Sequence, residues 1–290
     1  TRIYTPEDFG VLALFVAITS IFGAISNGRY ELAIISPKKD EDAINIFALG
    51  FIITCLMSLF IMTLVILFNS YFTRLLNNEE ISVWLYFVPV AVFFIGLYNI
   101  LNYFNIRKKY YKDIANATII KSIITAIVQL SIGFLKDGAS GLITGQLVSQ
   151  MFANIRLFKN IIKDKFLISK ISKVKIIALA KKYKDFPKFS MWAGLMNVLS
   201  TYLVNIFIPL FYSVATLGFY SLTQRLLGAP STLIGESIGA VFFQEATKEK
   251  QQTGRAIKSF NSTIKKLTIL GLLFFGGLFF IVEDLFAFVF

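Results

Sequence analysis

Histidine is absent from this chain of 290 residues. The commonest metal ligand, and the side chain best suited to general-base work near neutral pH, are therefore missing. Cys55 is the only cysteine, which excludes an intrachain disulfide. No cluster has metal-ligand spacing, no glycine loop has the phosphate-binding pattern, and no nucleophile motif occurs. Neither a metal nor a cofactor is expected. Charge is sparse at 16% of residues, and acids are scarcer than bases, 17 against 29. Missing too are an initiator Met and a cleavable signal sequence. The chain opens at the edge of one apolar stretch and closes inside another, so it is expected to be a fragment of a longer protein.

What is present is apolar surface. Hydrophobic residues make up 56% of the chain and aromatics 16%, with a mean hydropathy of +0.69. A soluble domain has no use for so much. Roughly 20 apolar residues cross about 30 Å of hydrocarbon. Eight stretches qualify: 9–35, 43–68, 82–106, 114–135, 139–158, 186–211, 216–244 and 267–290. The fold class that follows is an all-α, polytopic transmembrane helix bundle.

The cations are sorted. Of 29 Lys and Arg, 23 fall in alternate gaps, at 38–39, 107–112, 156–188 and 248–266. The opposite gaps hold only Arg2, Arg74 and Lys136. Cationic loops resist translocation, so the rich gaps are cytoplasmic. The net charge of +12 is thereby an orientation signal with attraction for anionic inner-leaflet lipids, and nucleic acid is not an expected partner. No external gap is large enough to fold as a domain.

A faint repeat runs through the chain. Tyr4, Phe9, Gly10 and Leu14 match Tyr212, Leu217, Gly218 and Leu222 at a constant offset of 208. Six spans separate the copies, so both share one orientation, as in the parallel repeats of secondary transporters. On this reading residues 1–162 form an N-terminal lobe lacking its first helix. Residues 163–184 form a cytoplasmic basic linker, and 185–290 supply the first three helices of a C-terminal lobe. Two pseudo-repeated six-helix lobes are expected in the intact protein. In the linker Phe166, Ile168, Ile171, Val174 and Ile177 alternate with lysines, which predicts an amphipathic helix on the inner leaflet.

Thr5, Pro6, Glu7 and Asp8 form a strong helix start. Phe186-Pro187 opens a second helix. Pro37 is expected to end the first span. Pro89 and Pro230 fall inside spans and are expected to bend them; with Gly228 they are hinge candidates.

Three cations, Arg29, Lys121 and Arg225, lie inside apolar stretches. A cation at the bilayer centre costs roughly 2.5–3.5 kcal/mol on insertion scales. Three facing lipid would cost about 7–10 kcal/mol, comparable to a domain's whole stability. They are expected to face protein or a wet cavity, or to sit near an interface. Arg225 adjoins Gln224 and shares a helix face with Gly228, Thr232, Gly235, Glu236 and Gly239. Arg29 and Glu31, two apart on one helix, are expected not to pair well. Lys121 is close enough to its helix start to snorkel to the cytoplasmic face. The candidate cavity residues are thus Arg29, Glu31, Lys121, Gln224, Arg225 and Glu236. Amides at Asn99, Asn102, Asn105, Gln129, Gln146 and Gln150 suggest interhelical hydrogen bonds and a polar interior able to accept sugars.

Several of these stretches resemble one family. Tyr4-Thr5-Pro6-Glu7-Asp8-Phe9-Gly10 with Arg29-Tyr30-Glu31-Leu32-Ala33 is similar to the second-helix region of bacterial polysaccharide transporters of the oligosaccharide flippase family. Asn105-Ile106-Arg107-Lys108-Lys109, Tyr183-Lys184-Asp185-Phe186-Pro187, and Leu217-Gly218-Phe219-Tyr220 leading to Gln224-Arg225 continue the resemblance in order along the chain. The family belongs to the multidrug/oligosaccharidyl-lipid/polysaccharide exporter superfamily, with two six-helix lobes around a central cavity. The resemblance implies a multi-pass protein of the bacterial plasma membrane. Its cargo would be an undecaprenyl-pyrophosphate-linked oligosaccharide, flipped for O-antigen, capsule or exopolysaccharide assembly. It further implies alternating access by rocking lobes, with Arg29 and Arg225 attracting pyrophosphate or acidic sugars in a cationic cavity. Lys121 departs from the neutral polar residue expected at its position. H+ or Na+ is the implied coupling ion, and other polysaccharide-assembly proteins are implied partners. The competing readings are a multidrug/cation antiporter, a lipid II flippase of the same superfamily, and a membrane glycosyltransferase or polymerase. The antiporter should favour in-span acids, yet the 186–211 stretch has none and in-span cations outnumber in-span acids three to two; the enzyme should show a large external loop or clustered acids, and no such loop is read in the sequence.

Overall fold

The computed structural model describes residues 3–76, 78–135 and 138–289. Within these, it leaves out the side chains of 229–237, 239–241, 243, 244, 247, 248, 251, 253, 282, 283 and 285–289. The described residues form helices and no strand. In chain order these are α1 (Pro6–Ile25), α2 (Tyr30–Ala33), α3 (Asp40–Leu75), α4 (Ile81–Leu85), α5 (Val88–Arg107), α6 (Tyr111–Gly133), α7 (Ser140–Ile162), α8 (Lys165–Ile168), α9 (Lys173–Lys182), α10 (Met191–Phe211), α11 (Val214–Thr253) and α12 (Ile257–Val289). A π-helical turn, Phe186–Ser190, leads into α10. Among the described residues six helices are long and apolar enough to cross a membrane: α1, α3, α5, α6, the run Phe186–Phe211, and Ile257–Ile281 of α12. The protein is a multi-pass membrane protein. Two further stretches expected to span form helices as well. Of these, α7 is less apolar because Ser149, Gln150 and Asn154 turn into the bundle and are buried.

Two compact units divide the chain, Ile3–Phe219 and Tyr220–Phe290. In the first, α1 is the helix most fully enclosed, with Val11, Leu14 and Ala17 wholly buried. It packs on α5, α7 and α10, while α3 pairs with α5 and α6 with α7. A core of Tyr30, Ile34, Ile44, Ile100, Phe104 and Leu157 packs within this unit.

The start of α1 is as the sequence predicts. The Thr5 amide donates to the Asp8 carboxylate (2.8 Å) and the Asp8 amide to the Thr5 hydroxyl (3.3 Å), a reciprocal capping box. The end of α1 is not. The expected single span 9–35 stops at Ile25, and Pro37 does not end it. The chain turns through Gly28 and Arg29, both left-handed at φ 59° and 61°. Gly28 takes that conformation without steric cost. The turn is pinned by Asn27, whose amide donates to the Thr54 hydroxyl (2.6 Å) and the Gly96 carbonyl (3.0 Å).

Pro89 likewise differs from expectation. It stands in the first turn of α5, beyond a break after α4, and not within a continuous helix. There its missing N–H costs nothing.

The linker is two short helices and not one amphipathic helix. Ser169–Ser172 interrupt it, and there the chain is tied to α3. The Asn45 side chain donates to the Lys170 carbonyl (3.1 Å) and accepts from the Ser172 amide (2.8 Å), and Lys175 pairs with Glu41 at 2.8 Å. Leu167 and Leu179 enter the core, while Phe166 and Val174 stay exposed.

Two of the matched residues, Gly10 and Gly218, stand at close backbone contacts. A side chain on Gly10 would collide with the backbone of Val214, and one on Gly218 with the backbone of Pro6. Val214 follows Pro6 by the same 208 positions that separate Gly218 from Gly10. The contact is therefore reciprocal.

Candidate functional site

The break after α1 builds the first polar feature. Because the chain leaves the helix at Ser26, Arg29 and Glu31 do not follow the helical spacing that would have kept them apart. The guanidinium Nη1 lies 3.5 Å from Glu31 Oε1, with Glu31 only 3% exposed. This corrects the expectation that the two would not pair. The Arg29 Nε–H and Glu31 Oε2 are buried and have no hydrogen-bond partner among the described residues. The pair thus retains one donor and one acceptor. Its guanidinium lies flat against Gly194 of α10, where a methyl group would stand 3.0 Å from Cζ. Next to it the Tyr30 hydroxyl donates to the Ala180 carbonyl of α9 (3.0 Å), which joins this corner to the linker.

The second feature is a cavity of about 320 Å³ among α1, α5, α6, α7 and α10. Its polar wall is Thr19, Ser20, Asn99, Lys121, Gln146 and Gln150, and Tyr98 and Tyr202 add aromatic faces. Lys121 lies about 15 Å along α6 from Tyr111, near mid-depth of a bilayer core of about 30 Å. It does not reach back to the cytoplasmic face. Its ammonium sits 5.8 Å from the centre of the Tyr98 ring, within cation–π range. Arg29 and Glu31 are not among the described residues lining this cavity.

In the second compact unit Gln224 and Arg225 are exposed on α11, and the Gln224 amide donates to the Tyr220 hydroxyl at 3.2 Å. A methyl group at Gly228 would meet no described atom within 4 Å. The side chains of Pro230 and Glu236 lie outside the described residues.

Elsewhere the polar residues serve packing. Asn160 donates to Asn105 (2.7 Å) and Asp113 (2.9 Å), and Arg156 pairs with Asp113. Arg107 donates to the carbonyls of Ile34 (3.2 Å) and Pro37 (2.7 Å) and pairs with Asp40 (2.9 Å). The basic run Arg107-Lys108-Lys109 is therefore partly a clasp on the α2–α3 turn as well as an orientation signal. Sequence reasoning missed Asn27, Gly194, Tyr98 and Tyr202. The Ser26-Asn27-Gly28 run is a turn pattern that could have revealed the first; the others carry no sequence signal.

Long apolar helices enclosing an ion pair with a buried carboxylate and a polar cavity define a multi-pass membrane protein. The chain belongs to the family described as polysaccharide biosynthesis protein, whose model matches residues 1–290. No curated protein and no solved structure matches it.

Proposed function

We propose that this protein is a flippase for an undecaprenyl-pyrophosphate-linked oligosaccharide in the bacterial plasma membrane. It serves assembly of O-antigen, capsule or exopolysaccharide. The observation that carries the reading is a polar, cation-bearing cavity at mid-span in a member of a polysaccharide biosynthesis family. A polar headgroup crossing hydrocarbon needs a route lined by hydrogen-bonding groups, and unpaired polar side chains at that depth are otherwise costly. The reciprocal contact of α1 and α11 at Gly10 and Gly218 supports two repeats that rock about one another, opening to each leaflet in turn. Arg29 and Arg225 are assigned to the pyrophosphate and acidic groups of the cargo, with H+ or Na+ as coupling ion.

Deletion of the full-length gene tests this reading. Lipid-linked repeat units should accumulate on the inner leaflet; a strain with normal surface polysaccharide would refute it. Arg225→Ala should abolish export while the protein stays in the membrane, measured by surface polysaccharide against membrane-fraction abundance. Undiminished export would remove Arg225 from the site.

A further inference from the structure

The cavity holding Lys121 has an unusual balance of groups. None of its described lining residues is acidic, and Lys121 forms no ion pair among the described residues. The side chains of Ser20, Asn99, Gln146 and Gln150 likewise make no hydrogen bond there. Amides inside a helix bundle ordinarily pair across helices, as Asn27, Asn105 and Gln129 do in this molecule. Here three unpaired amides, one hydroxyl and one cation converge on a single space with two tyrosines.

Each group limits the ligand. One ammonium without a counter-ion fits one negative charge; a diphosphate would call for more cations. Amides that both donate and accept fit vicinal hydroxyls, whose chemistry is the same. Tyrosine faces fit the C–H face of a pyranose ring. A volume of about 320 Å³ is at the small end of ligand pockets, which span about 300–1,000 Å³, and admits a sugar unit or two and no longer glycan.

We propose that this cavity is a subsite for a single carboxylate-bearing sugar residue of the cargo, with Lys121 as its counter-ion. The proposal rests on the transporter reading above and narrows it: the repeat unit carried by this protein contains an acidic sugar. The lipid's diphosphate is handled elsewhere.

The test uses the full-length protein in lipid nanodiscs and saturation-transfer NMR. The probes are a glucuronate-containing disaccharide, the same disaccharide with its carboxyl reduced to the alcohol, and inorganic pyrophosphate as competitor. The acidic disaccharide should bind about tenfold or more tightly than the reduced one, the scale of a charge-assisted hydrogen bond. Lys121→Gln should lower its affinity to that of the reduced sugar, and Lys121→Arg should retain most of the preference. Pyrophosphate at equal concentration should not displace it. Equal binding of both disaccharides by the unaltered protein would overturn the proposal, and so would displacement by pyrophosphate. An unchanged preference in a folded Lys121→Gln protein would do the same. Flipping of lipid-linked repeat units is measured on the same preparation. A protein that flips but shows no acidic preference sinks the subsite alone. One that prefers the acid but does not flip sinks the transporter reading and leaves a sugar site.

Discussion

Arg29 shows how much of a residue's role is conveyed by its type and how much by its surroundings. A cation in an apolar stretch is visible in the sequence, and the cost of exposing it to lipid assigns it to the protein, a wet cavity or an interface. Its partners were not legible. Pairing with Glu31 depends on a left-handed turn, and the flat contact with Gly194 joins residues far apart in the chain. That contact is tight, so Gly194→Val should drive the guanidinium from its place. Overpacking of this kind costs typically 1–3 kcal/mol. Insertion in the membrane should persist while flipping falls sharply, as read by a flipping assay beside a thermal-shift measurement. Lys121 was equally visible as an in-span cation, but the sequence left its direction open; helix packing aims it at Tyr98 and away from the cytoplasm.

At the scale of elements, local chemistry was a good guide where the signal and its target are close in sequence. Thr5 and Asp8 cap α1 as their spacing demands. A distant partner defeats such reasoning, and the turn between α11 and α12 is an example. The Glu249 carboxylate accepts from the amides of Lys258 (2.9 Å) and Ser259 (2.7 Å) and from the Ser259 hydroxyl, occupying donors that the start of α12 leaves unpaired. The Ser259 hydroxyl first, then its amide, holds Glu249 below its ordinary value of 4.5. A depressed carboxylate adds stability above its unfolded pKa and loses it as pH falls through the folded one. Hydrogen exchange at 256–262 should therefore accelerate as pH drops below 4.5, after correction for the intrinsic rate. Glu249→Gln should show faster exchange already at neutral pH. Lys175 behaves oppositely. Its bond to Glu41 holds it above 10.5, so on the lysine side the pair is intact at neutral pH and fades in strong alkali, while protonation of Glu41 breaks it in acid.

For the whole molecule, the informative contact is the one between the starts of α1 and α11. Gly10 and Gly218 let the starts of α1 and α11 touch by backbone. Neither position tolerates a side chain without displacement of the facing helix. Gly218→Leu should pry this contact apart. In a Cys55→Ser background, a cysteine at Leu14, wholly buried on α1, should then react with an external, membrane-impermeant thiol reagent. Without Gly218→Leu the same cysteine should stay unlabelled. Equal labelling in both would show that this crossing does not close the external side.

The sequence alone determined that helices are long and apolar enough to span a membrane, and it gave an expected orientation and three cations within apolar stretches. These follow from hydrocarbon thickness, from the resistance of cationic loops to translocation and from the cost of burying charge. It also raised the expectation of a repeat, on four matched residues. Tertiary packing decided the rest: that α1 ends at Ile25, that Arg29 meets Glu31 and Gly194, and that three amides, two tyrosines and Lys121 share one cavity. Those outcomes depend on side chains brought together from distant helices, and periodicity within one helix carries no information about its neighbours.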